Sequence, residues 1–525
     1  MARLVPVLVA CAAALLARPA PAGASGGPAA PARPPSAPGS PSLPPQPPPA
    51  PAPPALSLSL PPDAPPAPAP PSLARSLSPD DARWLAGEEP PVNRWLPALE
   101  SAGFSAALNL YARFTKPAGN EFETDPHSFW RNVSGRWVYD VDPFGTNELQ
   151  HPYQGSVSFA AARSTGAGFY ASFLYALGGS LLWEWAGETE PVSINDQWTT
   201  TMGGTLLGET LVRLAAMVLD GGGARPGPWR EGAAALLSPS TGLNRLIGGN
   251  RWREPGLSGN PWYGELRLAG AVRGVSADAD VPLARTGVAE LSARITCGPP
   301  AGDWRFRKPF DHFDAQLGLV ATGPSSSPGA FMTLLLRGLV LGTSYGAGTS
   351  RGLWGLFAHY DYMSPEIFRV SSSGVGLGTT AQHAWPAGIA VGGTAVLSAG
   401  FGAGGAAVEP VGGRDYHFGS TLSALAEAQV HAGGRASLRL VYRHYLISGR
   451  ASPDVKTFER LDYGTAGLVV RVGGPHAVGV DLSVARRRAV YRDASSIFSR
   501  ANAVHLFYLL TTDAGLGLAR AAAGT

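Results

Sequence analysis

The side chains with the strongest claim to chemistry fall between residues 137 and 213. Trp137 to Gly155 reads W-V-Y-D-V-D-P-F-G-T-N-E-L-Q-H-P-Y-Q-G, a dense polar and aromatic stretch that leads into His151-Pro152-Tyr153. Glu184, Glu188, Asp196, Glu209 and Arg213 follow on a second stretch, Gly179 to Arg213. His151, Glu184, Glu188, Asp196 and Glu209 are of the types that bind a divalent metal or run acid–base chemistry, and two carboxylates held close raise one pKa. As a metal set the candidates are His151, Glu184 and Glu188. As a catalytic set, Glu184 or Glu188 is a general base, His151 an acid or ligand, and Arg213 steadies an anion; such an envelope enzyme would act on a lipid or glycan. The competing reading is structural. Glu209 and Arg213 are four residues apart with opposite charge, the spacing of an ion pair on a helix, whereas Glu184 and Glu188 at the same spacing share one helix face. Charges inside a packed helical unit must be matched, so these residues cap helices and pair with Arg163 and Arg213.

The more specific catalytic patterns are missing from the sequence. There is no Glu-x-x-His pair of a di-metal bundle, no His-Glu-x-x-His, no Gly-x-Ser-x-Gly elbow and no phosphate-binding loop. Gly203-Gly204 and Gly208 read as helix packing, since no strand leads into them. The motifs lean away from an enzyme, and no cofactor is indicated.

Helical periodicity from about Pro79 to Gly249 must position these side chains. Ser78-Pro79-Asp80-Asp81 opens one helix with a cap, a proline in its first turn and two acids on the positive end of the dipole. Pro97 to Arg113 carries an apolar face. Ser164 to Trp183 holds 20 residues without a charge, long enough to cross a bilayer. Arg163 and Glu184 border it, and glycines at 166, 168, 178 and 179 interrupt it. A packed or broken helix sheltered by protein fits better than a spanning one.

The run from Trp137 to Arg213 resembles a known family. D-x-D-P-F-x-T-N before H-P-Y-x-G, then A-R, G-S-x-x-W-E, G-E, S-I-N-D and G-x-x-x-G-E-x-x-x-R are similar to the bacterial domain-of-unknown-function family numbered 3943. The likeness covers roughly residues 80 to 250. It implies an exported envelope protein of a Gram-negative bacterium and brings no activity with it.

Residues 1–24 read as a secretory signal: Arg3, an apolar run from Leu4 to Leu16, and Ala22-Gly23-Ala24 before the cut. Leu8-Val9-Ala10-Cys11 is a competing lipoprotein box. With the leader removed, Cys297 is the sole cysteine and no internal disulfide can form. Residues 25–76 form a Pro/Ala-rich linker, with 21 of the 49 prolines between Pro28 and Pro71; such a chain favours extended polyproline II and cannot bury a core. It is a spacer able to reach peptidoglycan or a protein partner. The 525 residues carry a net charge of only +3 and 15% charged side chains, which excludes the electrostatic footprint of nucleic-acid binding.

After about Trp252 the hydrophobic period becomes two. Leu266, Leu268 and Val272 alternate with Glu265, Arg267 and Arg273; Leu438, Leu440 and Tyr442 with Arg439 and Arg443; Val478, Val480, Leu482 and Val484 with Asp481 and Ser483. Turn clusters divide the span from Trp262 to Thr512 into about twelve segments, with aromatics such as Trp262, Tyr263, Tyr445 and Tyr508 near their ends. These are the marks of a membrane barrel rather than a soluble sandwich. Arg267, Arg273, His359, Asp361, Arg369, Arg439, Arg443, Arg471 and Asp481 are expected inside. A barrel of this size has a narrow lumen, so no wide pore is expected unless the helical segment lies outside.

The expected architecture is α+β: a helical module at 77–251, then an antiparallel, twelve-stranded outer-membrane β-barrel at 252–525, packed against or around the module. The expected role is envelope transport or organisation, with outer-membrane lipid, lipopolysaccharide and the barrel-assembly machinery as partners. Arg486-Arg487-Arg488 reads foremost as a solvated strand end, and as a candidate contact for lipopolysaccharide phosphates in second place.

Overall fold

The computed structural model describes residues 77–140, 142–257, 260–276, 284–300, 305–322, 331–365, 367–386, 388–406, 416–452, 455–491, 496–513 and 516–517. The expected signal, Cys11 and the Pro-rich arm lie outside the described residues. Two parts follow one another along the chain. Helices α1 (Pro79–Leu85), α2 (Leu96–Thr115), α3 (Pro126–Ser134), α4 (His151–Arg163), α5 (Phe169–Ala186), α6 (Ile194–Trp198), α7 (Gly204–Asp220), α8 (Pro228–Leu237) and α9 (Pro239–Gly248) form the module. Thr146–Gln150 and Thr199–Gly203 wind as wider π turns. The second π turn joins α6 to α7, giving one continuous helix from Ile194 to Asp220.

The charge-free run Ser164–Trp183 is broken where its glycines predicted. Gly166, at φ +91°, turns the chain between α4 and α5. The long apolar helix is instead Ile194–Asp220, 83% buried over its most apolar window. α4 crosses α7 where two glycines meet: a Cβ on Gly204 would come within 2.7 Å of the Gly155 backbone, and one on Gly155 within 1.8 Å of the Thr200 carbonyl oxygen.

Twelve antiparallel strands follow: β1 (Trp262–Ser276), β2 (Ala284–Cys297), β3 (Phe313–Thr322), β4 (Phe331–Ala347), β5 (Ser350–Met363), β6 (Arg369–Ala384), β7 (Ile389–Gly405), β8 (Tyr416–Ala432), β9 (Ala436–Ser452), β10 (Val455–Gly473), β11 (His476–Tyr491) and β12 (Ile497–Thr511). Each pairs with its sequence neighbours, and β1 closes on β12 from Glu265↔Thr511 to Ser276↔Arg500. Closure satisfies every strand edge, which a sheet in lipid requires. The period-two pattern then assigns faces. Leu268, Leu440, Val470, Leu482 and Leu506 are exposed on the outer wall, while their neighbours point inward.

Ion pairs line the lumen, and some of them cross it. Arg443 of β9 lies 3.2 Å from Asp361 of β5, and Tyr445 donates to the same carboxylate at 2.7 Å. Arg294 of β2 holds Asp314 at 2.7 Å and Glu427 of β8 at 3.4 Å; Arg439 of β9 bonds Glu427 at 2.9 Å. Arg267 bonds Asp481, and Arg487 lies 2.5 Å from Glu459. Apolar side chains fill part of the interior. Ile367 and Phe368, between β5 and β6, pack against Tyr445 and Leu461, and Leu516 packs against Phe507 and Leu509. One interior cavity, lined among others by Arg267, Glu290 and Arg439, is about 190 Å³.

Most of the expected lumen residues face in, with one exception. Arg369 stands on the outward parity of β6 and stacks on Phe144 of the module, 4.9 Å from its ring. It opens the strand, so the alternation around it was counted one residue out of phase. The helical module lies outside the barrel, and the barrel's own arginines and carboxylates project into the lumen.

The module covers the outer wall of β2–β8. Phe144, Leu206, Leu207 and Leu211 pack on Cys297, Phe313, Leu336, Tyr360, Ala403 and Phe418, all on the outward parity of their strands. Cys297 is a buried free thiol under this cover. Phe313 and Tyr416 open β3 and β8 from opposite rims of the barrel, so the covered patch runs obliquely across the wall.

Candidate functional site

The polar stretch and the second motif meet. The backbone at Val138 pairs with Ser193 in a short parallel bridge, with Val138 N–H donating to Val192 O at 2.9 Å and Ile194 N–H to Val138 O at 2.8 Å. Ser193 caps α6 by accepting from Asp196 N–H at 3.1 Å, the local reason that Asn195 and Asp196 enter the site from the first turn of the helix. Asp140 is the hub. Its carboxylate accepts from Asn147 Nδ2 at 2.5 Å, Asn195 Nδ2 at 3.1 Å and Asp142 N–H at 3.1 Å. Burial opposes its charge, but hydrogen bonds from Asp196, Asn147 and Asn195 outweigh it and hold the pKa near about 2. Asp196 is the other half of an acid–carboxylate pair: burial and the bond to Asp140 push it well above the usual range, so it keeps the proton.

His151, at the start of α4, sits with Nε2 3.7 Å from Asp196 Oδ2, beyond hydrogen-bond length. Burial lowers its pKa to about 4 against the attraction of Asp140, so the imidazole is neutral. Glu184 accepts from Ser193 N–H at 2.7 Å, and burial raises it to about 8. Glu188 accepts from Trp183 Nε1 at 2.8 Å; burial and then the Glu184 charge raise it well above its usual value. Glu188 lies past Gly187, the C-cap of α5, so the shared helix face read from its spacing is corrected: the helix ends before it. Asn132 holds the two residues by their backbones, its Nδ2 3.0 Å from both carbonyl oxygens. Burial raises Asp142 to about 6, helped by the Asp140 charge.

Two π turns frame this cluster, one ending at His151 and the other beginning at Thr199. π turns widen a helix and free carbonyls for outside donors. Tyr360 of the barrel donates to Glu148 O inside the first one, and Tyr416 donates to Asp142 O. Tyr416 also accepts from Asn147 at 2.9 Å. Trp198 donates to Ser373 Oγ at 2.8 Å. The cluster is therefore fastened to the barrel wall near the rim where β8 begins.

Glu209 and Arg213 form a separate group. Arg213 stands 17 residues beyond Asp196 along one helix, about 25 Å at 1.5 Å per residue, so it cannot steady an anion at Glu184. Glu209 accepts from Arg163 Nε and Arg213 Nε, each at 2.7 Å. Arg163 also reaches Glu254 at 2.9 Å, and Lys308 bonds Glu254 at 2.8 Å. Arg213 donates to Pro309 O at 2.6 Å. This ladder ties the module to the connection that enters β3.

Among the described residues, no three His, Cys, Asp or Glu side chains converge as metal ligands; His151, Glu184 and Glu188 are not gathered into such a set. The arrangement holds the Asp140 carboxylate ionised beside Asp196, with buried amides as its donors. Sequence reasoning missed the neutral partners. Asn147 and Asn195, both fully buried, make the network, and each stood in a quoted motif, T-N and S-I-N-D. An amide inside an otherwise charged motif was the available signal.

No curated protein matches the chain. Among solved structures, the translocator domain of the autotransporter NalP from Neisseria meningitidis is similar over 47% of this chain and 88% of that one, at 15% identity and a TM-score of 0.24. The outer membrane protein OprD from Pseudomonas aeruginosa is similar over 50% and 96%, at 9% identity and a TM-score of 0.20. At such scores the barrel rests on its own strand register. Residues 136–240, which include all six candidate site residues, match the model of the family described as domain of unknown function DUF3943.

Proposed function

We propose that this is an outer-membrane protein whose sealed barrel anchors the helical module, and that its role is envelope organisation rather than diffusion through the lumen. The observation that carries it is the contact of Arg443 and Tyr445 with Asp361 across the interior. A diffusion channel needs a continuous water path, and a buried pair of this kind costs several kcal/mol to break from one side. The apolar outer wall supports placement in lipid. With the end that carries the start of β1 and the finish of β12 facing the periplasm, the opposite rim carries a basic cluster on its outer face. Arg488 stands across from Arg460, which bonds Asp462 at 3.0 Å, and Arg486 across from Arg500. Like charges directly opposite repel; Asp462 answers part of this charge, and lipopolysaccharide phosphates at that level would neutralise the rest. The barrel-assembly machinery would insert the strands, and the Pro-rich arm would extend through the periplasm toward peptidoglycan or a protein.

Purified protein reconstituted into a planar bilayer tests this reading. Membranes that receive inserted protein, counted by protease-protected fluorescent label, should stay at baseline conductance. Steady porin-like steps from the unmodified protein would overturn it.

A further inference from the structure

We infer that the outer surface of the helical module is itself a lipid-contacting surface, seated in the acyl chains beside the barrel. This rests on the reading of the barrel as a membrane protein.

Several of these helices are turned inside out relative to helices of a water-soluble protein. On α2, Ser101 and Ser105 are buried, and Asn109 reaches inward to donate to Phe122 O at 2.9 Å and Gly187 O at 2.8 Å. Its exposed positions from 98 to 111 are all apolar or glycine. Leu99 is 70% exposed and Phe114, further along, 81%. The one acidic or basic side chain between 97 and 112 is Glu100, which accepts from Asn244 of α9 at 3.1 Å. α9 repeats the inversion. Ser240, Thr241 and Asn244 are buried, whereas Leu243, Leu246 and Ile247 are exposed, Leu246 at 85%. α5 buries Ser172, Ser180 and Glu184 and exposes Tyr170 and Leu174. Water selects the opposite arrangement, with polar side chains outward. Hydrocarbon selects this one, in which Ser, Thr and Asn satisfy each other inside and small residues allow close helix contact.

The occupant of this face is fixed by where the module is attached. Its contacts lie on the outward parity of β2–β8, along a patch that begins at Phe313 and ends at Tyr416. That wall is the same surface that elsewhere exposes Leu268, Leu482 and Leu506. A module covering it lies at membrane depth, and its own far side continues the apolar belt around the assembly. The charged side chains gather at the C-terminal end of α2, Arg113 in its last turn and Lys116, Glu121 and Glu123 just beyond it, as expected where a helix leaves hydrocarbon for the polar interface.

The test uses the full chain in liposomes. Leu99→Cys, Leu110→Cys and Leu246→Cys each receive a nitroxide, with Leu482→Cys and Leu506→Cys on the barrel as references and Glu123→Cys as a water reference. Collision with oxygen, which concentrates in lipid, is compared with collision with a water-soluble nickel chelate. The three module positions should lose nickel collisions as completely as the two barrel positions, while Glu123→Cys keeps them. Three positions on two helices are read separately, so one variant that fails to fold leaves the others. Module labels open to nickel beside lipid-protected barrel labels would overturn the inference alone. Module labels shielded from both quenchers would assign the face to a second copy, also overturning it. Barrel labels open to nickel would overturn the membrane reading beneath it.

Discussion

Glu184 is one of several buried acids that give the polar cluster its pH dependence. Burial raises its pKa from 4.5 to about 8, so between those values the folded chain keeps a proton that the unfolded chain has released. Its contribution to stability is complete below about pH 4.5 and is lost as the pH rises through about 8. His151 acts in the other direction: its pKa falls from 6.5 to about 4, so its contribution is complete above 6.5 and is lost as the pH drops through about 4. The wild-type protein should therefore melt at lower temperature at pH 8.5 than at pH 5.5, and Glu184→Gln should remove a part of that alkaline loss, the other buried acids Glu188, Asp196 and Asp142 carrying the remainder. Near-UV circular dichroism melts in detergent read both, and an unchanged difference between the two pH values in the variant would count against the buried-acid account. The charged members of this cluster were legible in the sequence because Asp, Glu and His announce themselves by type. Asn147 and Asn195 were not, since an amide reveals its importance only when its burial and partners are known. The wide turns at 146–150 and 199–203 were equally hidden, because the extra residue they hold is set by tertiary contacts such as Tyr360 to Glu148.

The elements were easier to find than to orient. A two-residue period named the strands, and β12 ends at Thr511 against an expected Thr512, since turn residues and alternation are local signals. The apolar face at Pro97 to Arg113 was also visible, yet periodicity gives the existence of a face and not the direction in which it looks. That face points away from protein, which corrects the expectation of sheltered helices. Glycines that serve contact can now be separated from those that do not. Gly155 and Gly204 bring α4 and α7 backbone to backbone, whereas Gly178 of α5 has open space where a Cβ would stand. Gly155→Ala should destabilise the module by about 1–3 kcal/mol through overpacking. Gly178→Ala should be neutral or stabilise by about 0.5–1 kcal/mol, the helix cost of glycine. Limited proteolysis between residues 77 and 251 under increasing denaturant distinguishes the two, and equal sensitivity would mean that the α4–α7 crossing does not set the module's stability.

At the scale of the whole molecule, closure and attachment are separate properties. Twelve consecutive pairings make the barrel, and the ion pairs across its interior add links that a hollow barrel lacks. Unheated detergent-extracted protein should migrate faster in gel electrophoresis than the boiled sample, as a structure without strand edges resists unfolding in cold detergent. Identical mobility would mean that the ring is open in solution. The two-part order along the chain was plain from the change of period. The side on which the helices dock was not, because that depends on which strand residues look outward, and Arg369 shows how one residue of phase reverses the answer.

The seam between β1 and β12 has a consequence for biogenesis. The cover of the docked helices reaches the foot of β1, where Trp262 packs against it, but it includes no residue of the ladder from Glu265↔Thr511 to Ser276↔Arg500. That ladder could thus zip before or after the passenger is moored.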